Sequence, residues 1–367
     1  RASTGSGPMS ARLRGPIRVV GAGLLGTSIG LGLSKLGLDV IFEDASPANL
    51  KLAIAYGAGR AAKSDDVPQL IVVCVPPDVT ANVVQRELAE FPAAIVTDVA
   101  SVKLGVLKQL EASHTDLGRY VGSHPMAGRE RGGAIAGRAD LFIGRPWVIT
   151  PNSASNESAT NLIEDLALDL GAAPIHFDSA EHDRAVALVS HLPQLVASLT
   201  AAQLNHAPAH EISLAGQGLR DTTRIAASDP KLWTQILEAN AEPVSKLLKG
   251  LASDLAAVIQ ALENIEQPGS LAALSRALEA GNRGVEKIPG KHGSRAAHYA
   301  NVTVMIEDQP GELGRLFTEM GEIGINLEDL KLEHSPGAQI GLAELSVVPE
   351  TEERLISELT QRGWRLA

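Results

Sequence analysis

The first half of the chain alternates short apolar runs with segments long enough to form a helix. The apolar runs are rich in β-branched residues, and their length favours strands over helices. They comprise residues 17–20, 38–42, 70–75, 94–97 and 147–150. Strands that alternate with helices are joined by right-handed crossovers, so this pattern predicts a parallel sheet covered by helices on both faces. We assign this α/β domain to residues 15–177.

The strand pattern stops near residue 176, and the following segment is rich in alanine and leucine. Leu188, Leu192, Leu195 and Leu199 recur three or four positions apart, which is typical of one helix face. We therefore predict an all-α domain over residues 178–287. We expect it to contribute substrate contacts and a dimer interface.

Strands return near the C-terminus, after a segment rich in Pro, Gly and basic residues that we interpret as a linker, 288–297. Apolar residues alternate over 302–306, as in a half-buried strand, and then follow helical spacing over 313–320. Two more strands are predicted on either side of a turn at 335–337, and another helix follows. The order βαββαβ predicts a small ferredoxin-like domain over residues 298–367.

Charge and cysteine content narrow the functional classes. The chain has 32 Lys and Arg against 43 Asp and Glu, a formal net charge of −11. This balance argues against a nucleic-acid partner or an anionic membrane surface, because both require excess positive charge. Cys74 is the one cysteine, which excludes an internal disulfide and favours a cytoplasmic location. We also expect no apolar run to approach the roughly 20 residues that span a bilayer.

A glycine-rich segment connects the first predicted strand to the first predicted helix. Gly21, Gly23 and Gly26 have the spacing GxGxxG. In a dinucleotide-binding Rossmann domain the first glycine permits a tight turn, and the second lets the backbone approach the pyrophosphate. The third allows the helix to pack closely on the strand. The motif and its position together predict a dinucleotide site.

The residues around this loop indicate which dinucleotide binds. Leu24 and Leu25 begin the predicted helix, where backbone N–H groups face anionic phosphates. Asp44 ends the second predicted strand, where an acid accepts hydrogen bonds from the ribose hydroxyls. Glu43 is a rival for this position. Because no arginine follows Asp44 to hold a 2′-phosphate, we predict NAD rather than NADP.

Two further segments follow apolar strands, where the ligands of open α/β sheets gather. One is 98–103 (DVASVK) and the other is 122–128 (GSHPMAG). We expect His124 to lie on a tight loop flanked by Gly and Pro. It is a candidate general base, because imidazole titrates near neutral pH. The local pattern is equally consistent with a capping or packing histidine.

Several other polar or aromatic residues give weaker signals. His206 and His210 have a spacing seen in metal sites, but Pro208 separates them and no HExxH motif or cysteine cluster accompanies them. We therefore predict no metal site. Trp233 is more typical of a helix-face core residue than of a pocket wall.

Six segments taken together resemble the prephenate dehydrogenase family with an appended ACT domain. They are the glycine fingerprint, DVASVK, GSHPMAGRERGG, EHDRAVALVSHLPQ, GQGLRDTTRIAASDPKLW and DQPGELGRLF. The similarity spans nearly the whole chain after residue 15. It implies NAD-dependent oxidative decarboxylation of prephenate to 4-hydroxyphenylpyruvate in tyrosine biosynthesis. Relatives in the family use arogenate and yield tyrosine directly.

The resemblance also implies roles for individual residues. His124 matches the histidine that takes the proton of the ring hydroxyl, and Ser101 matches a serine that orients this histidine and the hydroxyl. Arg224 matches the arginine that holds the substrate carboxylate. The His182–Asp183 pair and His191 open the helical domain and are also family-typical. We expect His191 in the substrate region, whereas His182 is either a surface or interface residue or a substrate contact. Arginine suits a carboxylate because its guanidinium binds in a bidentate fork that lysine cannot form.

Three positions depart from the family pattern. Arg129 stands where members often carry a small hydroxyl residue, Gln194 stands where a second histidine is common, and Arg220 replaces a frequent lysine. We expect all three in the substrate region. An additional cation at Arg129 favours the keto acid prephenate, whereas the Gln194 carbonyl could accept from the ammonium of arogenate. The sequence leaves the choice between the two substrates open.

The C-terminal domain resembles ACT modules, which commonly bind an amino acid at paired interfaces. Asp308, Gly311 and Asn326 match residues that line such pockets, and tyrosine is the expected effector. The alternative is a dimerisation or packing module without a ligand. The family resemblance also implies a homodimer.

Two other classes of protein share parts of this plan. A β-hydroxyacid dehydrogenase combines a Rossmann domain with helices but usually relies on a lysine base, and HPMAG with DTTRIA argues against it. A non-catalytic amino-acid sensor would use the ACT domain over a decayed cofactor site. The intact Gly21, Asp44, Ser101, His124 and Arg224 argue against such a sensor.

Overall fold

The computed structural model describes residues 11–128, 133–289, 299–334 and 340–367. The chain forms two compact units. One comprises residues up to Ala202 together with Arg224–Lys249, and the other comprises Gln203–Thr223 together with Gly250–Ala367. The three-domain division of the sequence analysis follows other boundaries and stays a prediction.

The first unit contains a parallel sheet of five strands in the order β3-β2-β1-β4-β5. The strands are β1 (Ile17–Val20), β2 (Val40–Glu43), β3 (Arg60–Ala61), β4 (Leu70–Val73) and β5 (Ile95–Asp98). This is the order of the first five strands of a Rossmann fold, so the predicted α/β class is confirmed. The two-residue strand β3 was missed because it is too short to show a period.

Helices cover this sheet on both faces. They are α1 (Leu24–Lys35), α2 (Pro47–Ala55), α3 (Pro77–Glu90), α4 (Leu104–Ala112) and α5 (Glu157–Asp169). Successive residues of a strand point to opposite faces, and β1 shows the result. Ile17 and Val19 belong to one buried cluster, whereas Val20 belongs to another with Ile71 of β4.

A second, three-stranded sheet carries the candidate base. Its strands, in the order β6-β7-β8, are β6 (Val121–Pro125), β7 (Pro146–Pro151) and β8 (Ala173–His176). β6 is antiparallel to β7, so the prediction that 147–150 extends a parallel sheet was wrong. The loop predicted for His124 was also wrong, because His124 pairs with Val148 inside β6. Pro125 is compatible with this strand because it ends it.

Residues 178–287 contain helices and turns, as predicted, and the structure describes all of them without a strand. The helices are α6 (Ser179–Val186), α7 (Leu192–Gln203), α8 (Ala209–Ile212), α9 (Gln217–Thr223), α10 (Pro230–Ala239), α11 (Ala241–Glu263) and α12 (Ser270–Val285). A π-helical turn, Ala187–His191, joins α6 to α7. Such turns are frequent at functional sites.

The helical run from α6 to residue 206 is long and apolar enough to cross a membrane by length and composition alone. The expectation that no run approaches that length was therefore wrong. The helical run is continuous through the π-helical turn that ends at His191 and into α7. Core helices of soluble proteins have the same length and composition. This run also buries His182 and Asp183, whose side chains hydrogen-bond within the protein.

The C-terminal elements follow the predicted order βαββαβ. They are β9 (Ala300–Glu307), α13 (Glu312–Ile323), β10 (Asp329–His334), β11 (Ile340–Val347), α14 (Glu352–Gln361) and β12 (Arg365–Leu366). Their antiparallel sheet has the order β10-β11-β9-β12. Apolar residues of β9, including Val302 and Val304, pack with Leu316 and Leu355 of the two helices. The predicted turn at 335–337 and most of the predicted linker 288–297 lie outside the described residues.

A buried ion pair connects the two sheets of the first unit. A bridge between Val96 and Tyr120 sets the start of β6 beside β5. The Lys103 ammonium donates to the Asp98 carboxylate and, at 2.7 Å, to the backbone oxygen of Ser123. The Tyr120 hydroxyl donates to the other Asp98 oxygen at 2.7 Å. Lys103 and Asp98 are 1% and 0% exposed, so each charge depends on the other for compensation.

Replacing Lys103 with methionine should therefore destabilise the fold strongly. Lys103→Met leaves the Asp98 carboxylate buried without its cation, which costs about 3–5 kcal/mol. Urea denaturation measures this loss, and Lys108→Met, on the exposed side of α4, should change stability by less than about 0.5 kcal/mol. The double variant Asp98→Asn with Lys103→Met should recover part of the loss. An unchanged midpoint in Lys103→Met would contradict the ion pair.

Candidate active site

The glycine loop has the backbone geometry that its sequence predicts. Gly21 has φ of +108°, a conformation that favours glycine, and a Cβ there would lie 2.4 Å from the Cys74 backbone oxygen. A Cβ on Gly26 would lie 1.9 Å from the Gly21 oxygen. Gly23, in contrast, faces open space, with no heavy atom of the described chain within 4 Å of a built Cβ. The loop is therefore tightly packed at Gly21 and Gly26 and open at Gly23.

Asp44 lies against this loop. Its carboxylate accepts from the Ala22 N–H and from the Ser46 N–H, each at 2.6 Å. The helix α1 begins at Leu24, and its N-cap residue, Gly23, has no side chain to cap the helix. An open glycine, a helix N-terminus and an acid at the end of β2 thus meet at one edge of the sheet. These groups suit a dinucleotide, whose phosphates need N–H donors and whose ribose needs an acceptor.

His124 lies near the end of β6 and is half-buried. Its Nδ1 is 2.9 Å from Nε2 of His182, and the two rings meet edge to face with centroids 5.1 Å apart. Burial holds the pKa of His124 well below its ordinary value, and the neighbouring His182 and Lys103 lower it further. His124 is therefore neutral at neutral pH, which is the form that accepts a proton.

Ser101 lies in the segment between β5 and α4 and is half-buried. The parallel bridge between Val96 and Tyr120 places the end of β5 beside β6. The Ser123 hydroxyl donates to the Asp98 backbone oxygen at 2.9 Å, which fixes the same alignment one residue before His124. The strands thus carry the Ser101 segment and His124 to the same edge.

His182 and Asp183 form a buried layer behind His124. Nδ1 of His182 lies 2.8 Å from Oδ1 of Asp183, and the two residues are 1% and 3% exposed. The Asp183 carboxylate also accepts from the backbone N–H groups of Lys103 and Leu104, at 2.8 and 3.0 Å. These donors lie at the N-terminus of α4, which favours a carboxylate. The sequence left His182 open between a surface residue and a substrate contact, and it lies instead behind the base.

His191 is buried at the end of the π-helical turn. Its Nδ1 lies 3.1 Å from Nδ2 of Asn240, and that amide also donates to the Asp183 backbone oxygen at 2.8 Å. Burial lowers the pKa of His191 to about 4. Trp233 meets the His191 ring edge to face, with centroids 5.9 Å apart. His191 is therefore a neutral member of the polar layer that contains Asp183.

The other predicted substrate residues are placed as follows. Gln194 is buried in the first turn of α7, where its amide donates to Ser198 and its oxygen accepts from Ser228, each at 3.3 Å. Arg224 is exposed, begins the 3₁₀ turn Arg224–Ala226 and belongs to the same compact unit as His124. Arg220 is exposed on α9 and belongs to the other unit. Arg129 lies outside the described residues.

The predicted effector residues lie at opposite ends of the C-terminal sheet. Asp308 and Gly311 (φ of +100°) follow the end of β9. Asn326 precedes β10, whose first residue pairs with Ser346, and Ser346 pairs with Asn301 at the start of β9. Within one chain the structure therefore does not bring Asn326 to the turn that contains Asp308.

Two polar residues of the site were not identified from the sequence. The family resemblance marks Asp183 only as a neighbour of His182, and the sequence gives no indication for Asn240. The adjacent pair His182–Asp183 lies in a polar stretch between Glu181 and Arg184, so the family resemblance is the signal that marks it. Asn240 offers no comparable signal. Among the described residues, no group of three or more His, Cys, Asp or Glu side chains could hold a metal ion.

The strand order, the glycine loop and Asp44 identify a dinucleotide-binding protein of the Rossmann type. Two family models match the chain: "Prephenate dehydrogenase, nucleotide-binding domain" over residues 29–176 and "Prephenate dehydrogenase, dimerization domain" over residues 178–277. The chain is also 36% identical to the probable prephenate dehydrogenase NovF of Streptomyces niveus, over 94% of this chain and 98% of that one. The chain belongs to the prephenate dehydrogenase family.

Solved structures agree with this assignment. The prephenate dehydrogenase of A. aeolicus, solved with hydroxyphenyl propionate and NAD+, is 25% identical with a TM-score of 0.65, over 75% of this chain and 99% of that one. The Synechocystis arogenate dehydrogenase is 27% identical with a TM-score of 0.60, over 73% and 99%. The match to the family models ends at residue 277 and leaves the C-terminal βαββαβ segment without an assignment.

Adding a methyl group at Gly23 should weaken NAD binding and leave the fold intact. Gly23→Ala places its Cβ in the open space of the loop, where a pyrophosphate would approach, and we expect Kd for NAD to rise about tenfold, equivalent to ~1.4 kcal/mol. Calorimetric titration measures Kd, and thermal unfolding should be unchanged. Gly26→Ala should instead lower the unfolding temperature, because its Cβ collides with the Gly21 oxygen. Equal NAD affinity in Gly23→Ala and wild type would exclude this loop as the phosphate site.

Proposed function

We propose that this protein is an NAD-dependent prephenate dehydrogenase that converts prephenate to 4-hydroxyphenylpyruvate and CO2. The observation that carries the proposal is the setting of His124. It is a neutral histidine at the strand edge shared with the Ser101 segment, and within the described part of the chain its Nδ1 is engaged by His182. Nε2 is then the nitrogen that can face a substrate hydroxyl.

The reaction requires a base at the ring hydroxyl. When bound, NAD accepts the hydride that leaves C4 of the ring. His124 takes the hydroxyl proton at Nε2 as this C–H bond breaks, which removes the positive charge that would otherwise develop on the oxygen. The ring carboxylate then leaves as CO2, its bonding electrons make the ring aromatic, and His124 returns the proton to the phenolate oxygen. Atoms and charges balance without a metal ion.

Gly21, Gly23, Gly26 and Asp44 would hold the cofactor, together with the N–H groups that begin α1. Arg224 would hold a substrate carboxylate, and Ser101 would orient His124 and the hydroxyl. Arg224 is exposed in the chain as described, as a residue that meets a soluble dianion must be. A guanidinium is suited to this because it donates to both oxygens of a carboxylate.

Arogenate dehydrogenase is the second candidate function, supported by the likeness to the Synechocystis enzyme. The two substrates differ at the side chain, where prephenate has a keto group and arogenate has an ammonium. The Gln194 oxygen already accepts from Ser228 at 3.3 Å. A carbonyl oxygen has two lone pairs, so Gln194 could still accept from an ammonium, and prephenate is favoured instead by the likeness to prephenate dehydrogenases.

We further propose a cytoplasmic homodimer with a C-terminal ACT domain that binds tyrosine. The dimer proposal is supported by apolar residues of α11 and α12 that are more than half exposed, namely Leu255, Leu262, Leu271 and Leu278. Large exposed apolar faces of this kind mark protein interfaces. The βαββαβ order supports the ACT proposal. Because Asp308 and Asn326 lie at opposite ends of the sheet, an effector pocket lined by both would need two copies of the chain.

The experiment that tests the main proposal follows NADH while the purified protein is incubated with NAD and either prephenate or arogenate. Wild type should turn over prephenate with the higher kcat/KM. His124→Asn should reduce kcat by about 10²- to 10⁴-fold, because asparagine keeps a donor toward His182 but has no basic nitrogen. NAD affinity should be unchanged, since the glycine loop is intact. NADH formed by neither substrate would refute the function, and near-normal turnover in His124→Asn would refute the base.

Substitution of Arg224 should act mainly on substrate binding. Arg224→Gln removes a charge-assisted hydrogen-bond pair, and KM for prephenate should rise about 10- to 100-fold. Arg224→Lys should lie between this variant and wild type, because it keeps the charge and loses the fork. Steady-state kinetics with both variants makes the comparison. An unchanged KM in Arg224→Gln would place this residue outside the substrate site.

A further inference from the structure

A series of hydrogen-bond contacts connects the N-terminus of α4 to His124 through Asp183 and His182. Lys103 and Leu104 N–H groups donate to Asp183, Asp183 lies 2.8 Å from Nδ1 of His182, and Nε2 of His182 lies 2.9 Å from Nδ1 of His124. We propose that His182 and Asp183 are positioning residues that hold His124 with its proton on Nδ1 and its lone pair on Nε2. This inference rests on the proposed function of His124 as the base.

The contacts of Asp183 determine where the proton of His182 lies. An ionised carboxylate has only acceptor sites, and both oxygens of Asp183 already accept from the α4 N-terminus. The ring nitrogen that faces Oδ1 must therefore be a donor, which places a proton on Nδ1 of His182. The amide of Asn240 holds the Asp183 backbone oxygen, and this contact limits movement of the pair.

The tautomer of His182 in turn determines the tautomer of His124. We take His182 as neutral, and a neutral imidazole with a proton on Nδ1 has an acceptor at Nε2. The group 2.9 Å away, Nδ1 of His124, must then donate. The opposite tautomer of His124 would bring two lone pairs together at this distance and lose the hydrogen bond. His182 is 1% exposed, so no bulk water can substitute for the lost partner.

The same contacts act on the charge that forms during the reaction. When His124 accepts the hydroxyl proton it becomes a cation, and its Nδ1–H becomes a stronger donor to His182. The negative charge of Asp183 lies one imidazole away and stabilises this cation, and the carboxylate need not itself accept the proton. The proton returns to the phenolate oxygen in the last step, so the three side chains end in the state in which they began.

Selective 15N labelling of the ten histidines tests the tautomer directly, with His124→Asn identifying the His124 signals. In the wild-type protein without ligands, His124 should show a protonated Nδ1 and an unprotonated Nε2 across neutral pH. The opposite pattern would overturn the proposal. This measurement uses no variant of His182 and no substrate, so it does not depend on how a His182 variant folds or on the proposed reaction.

A matched pair of variants tests the consequence for catalysis. His182→Met has a similar volume but no acceptor of comparable strength, and kcat for prephenate should fall about 10- to 1000-fold while KM and Kd for NAD stay within about twofold. In this variant His124 should populate the tautomer with a proton on Nε2. His182→Gln offers an amide oxygen to His124 and an amide N–H to Asp183, and it should keep kcat within about tenfold of wild type.

The outcomes separate the two proposals. An active wild type combined with a normal kcat in His182→Met would refute the positioning residues and leave the proposed function standing. Equal losses in His182→Met and His182→Gln would also refute them, because a purely structural residue gives no rescue by an acceptor. A wild type that forms NADH with neither ring substrate would refute the proposed function, whereas the tautomer measured by 15N would still decide the arrangement of the three side chains.

Discussion

The candidate site depends on how the buried Lys103 is held. Its ammonium donates to Asp98 at the end of β5 and to the backbone oxygen of Ser123 in β6. Its backbone N–H donates to the Asp183 carboxylate of α6. One residue thus connects two strands and a helix. Separation of these segments would leave buried charge without compensation, which costs several kcal/mol. His124 follows Ser123 directly, and its position relative to Asp183 is set by the same contacts.

Much of the fold could be predicted from local patterns. The apolar runs correctly predict the four longer strands of the parallel sheet. The spacing of the glycines and Asp44 likewise predicts the dinucleotide loop. Both signals come from residues that are close together in sequence. The loop predicted for His124 failed for a related reason. Gly122 and Pro125 are typical of turns, but pairing with β7, which lies more than 20 residues later, draws this segment into a sheet. Tertiary pairing here overrides local preference.

The polar layer behind His124 could not be derived in the same way. His124 and His182 are 58 residues apart, and the Lys103 N–H and the Asp183 carboxylate are 80 residues apart. No local period relates such positions. The family resemblance supplied His124 and Arg224, and it suggested His182 only as a neighbour. The arrangement of donors and acceptors becomes visible when the chain is folded, because the tautomers follow from which atoms meet.

The same layer resolves a conflict between burial and basicity. Burial keeps His124 neutral and leaves its lone pair available, but a lowered pKa also makes it a weaker base. The charge that appears on proton transfer must then be balanced inside the protein. Asp98 cannot balance it fully, because it already pairs with Lys103. Asp183 is held by backbone N–H groups and His182, so its negative charge remains to act on His124. His124 can therefore be neutral before the reaction and still be stabilised as a cation once it has accepted the proton.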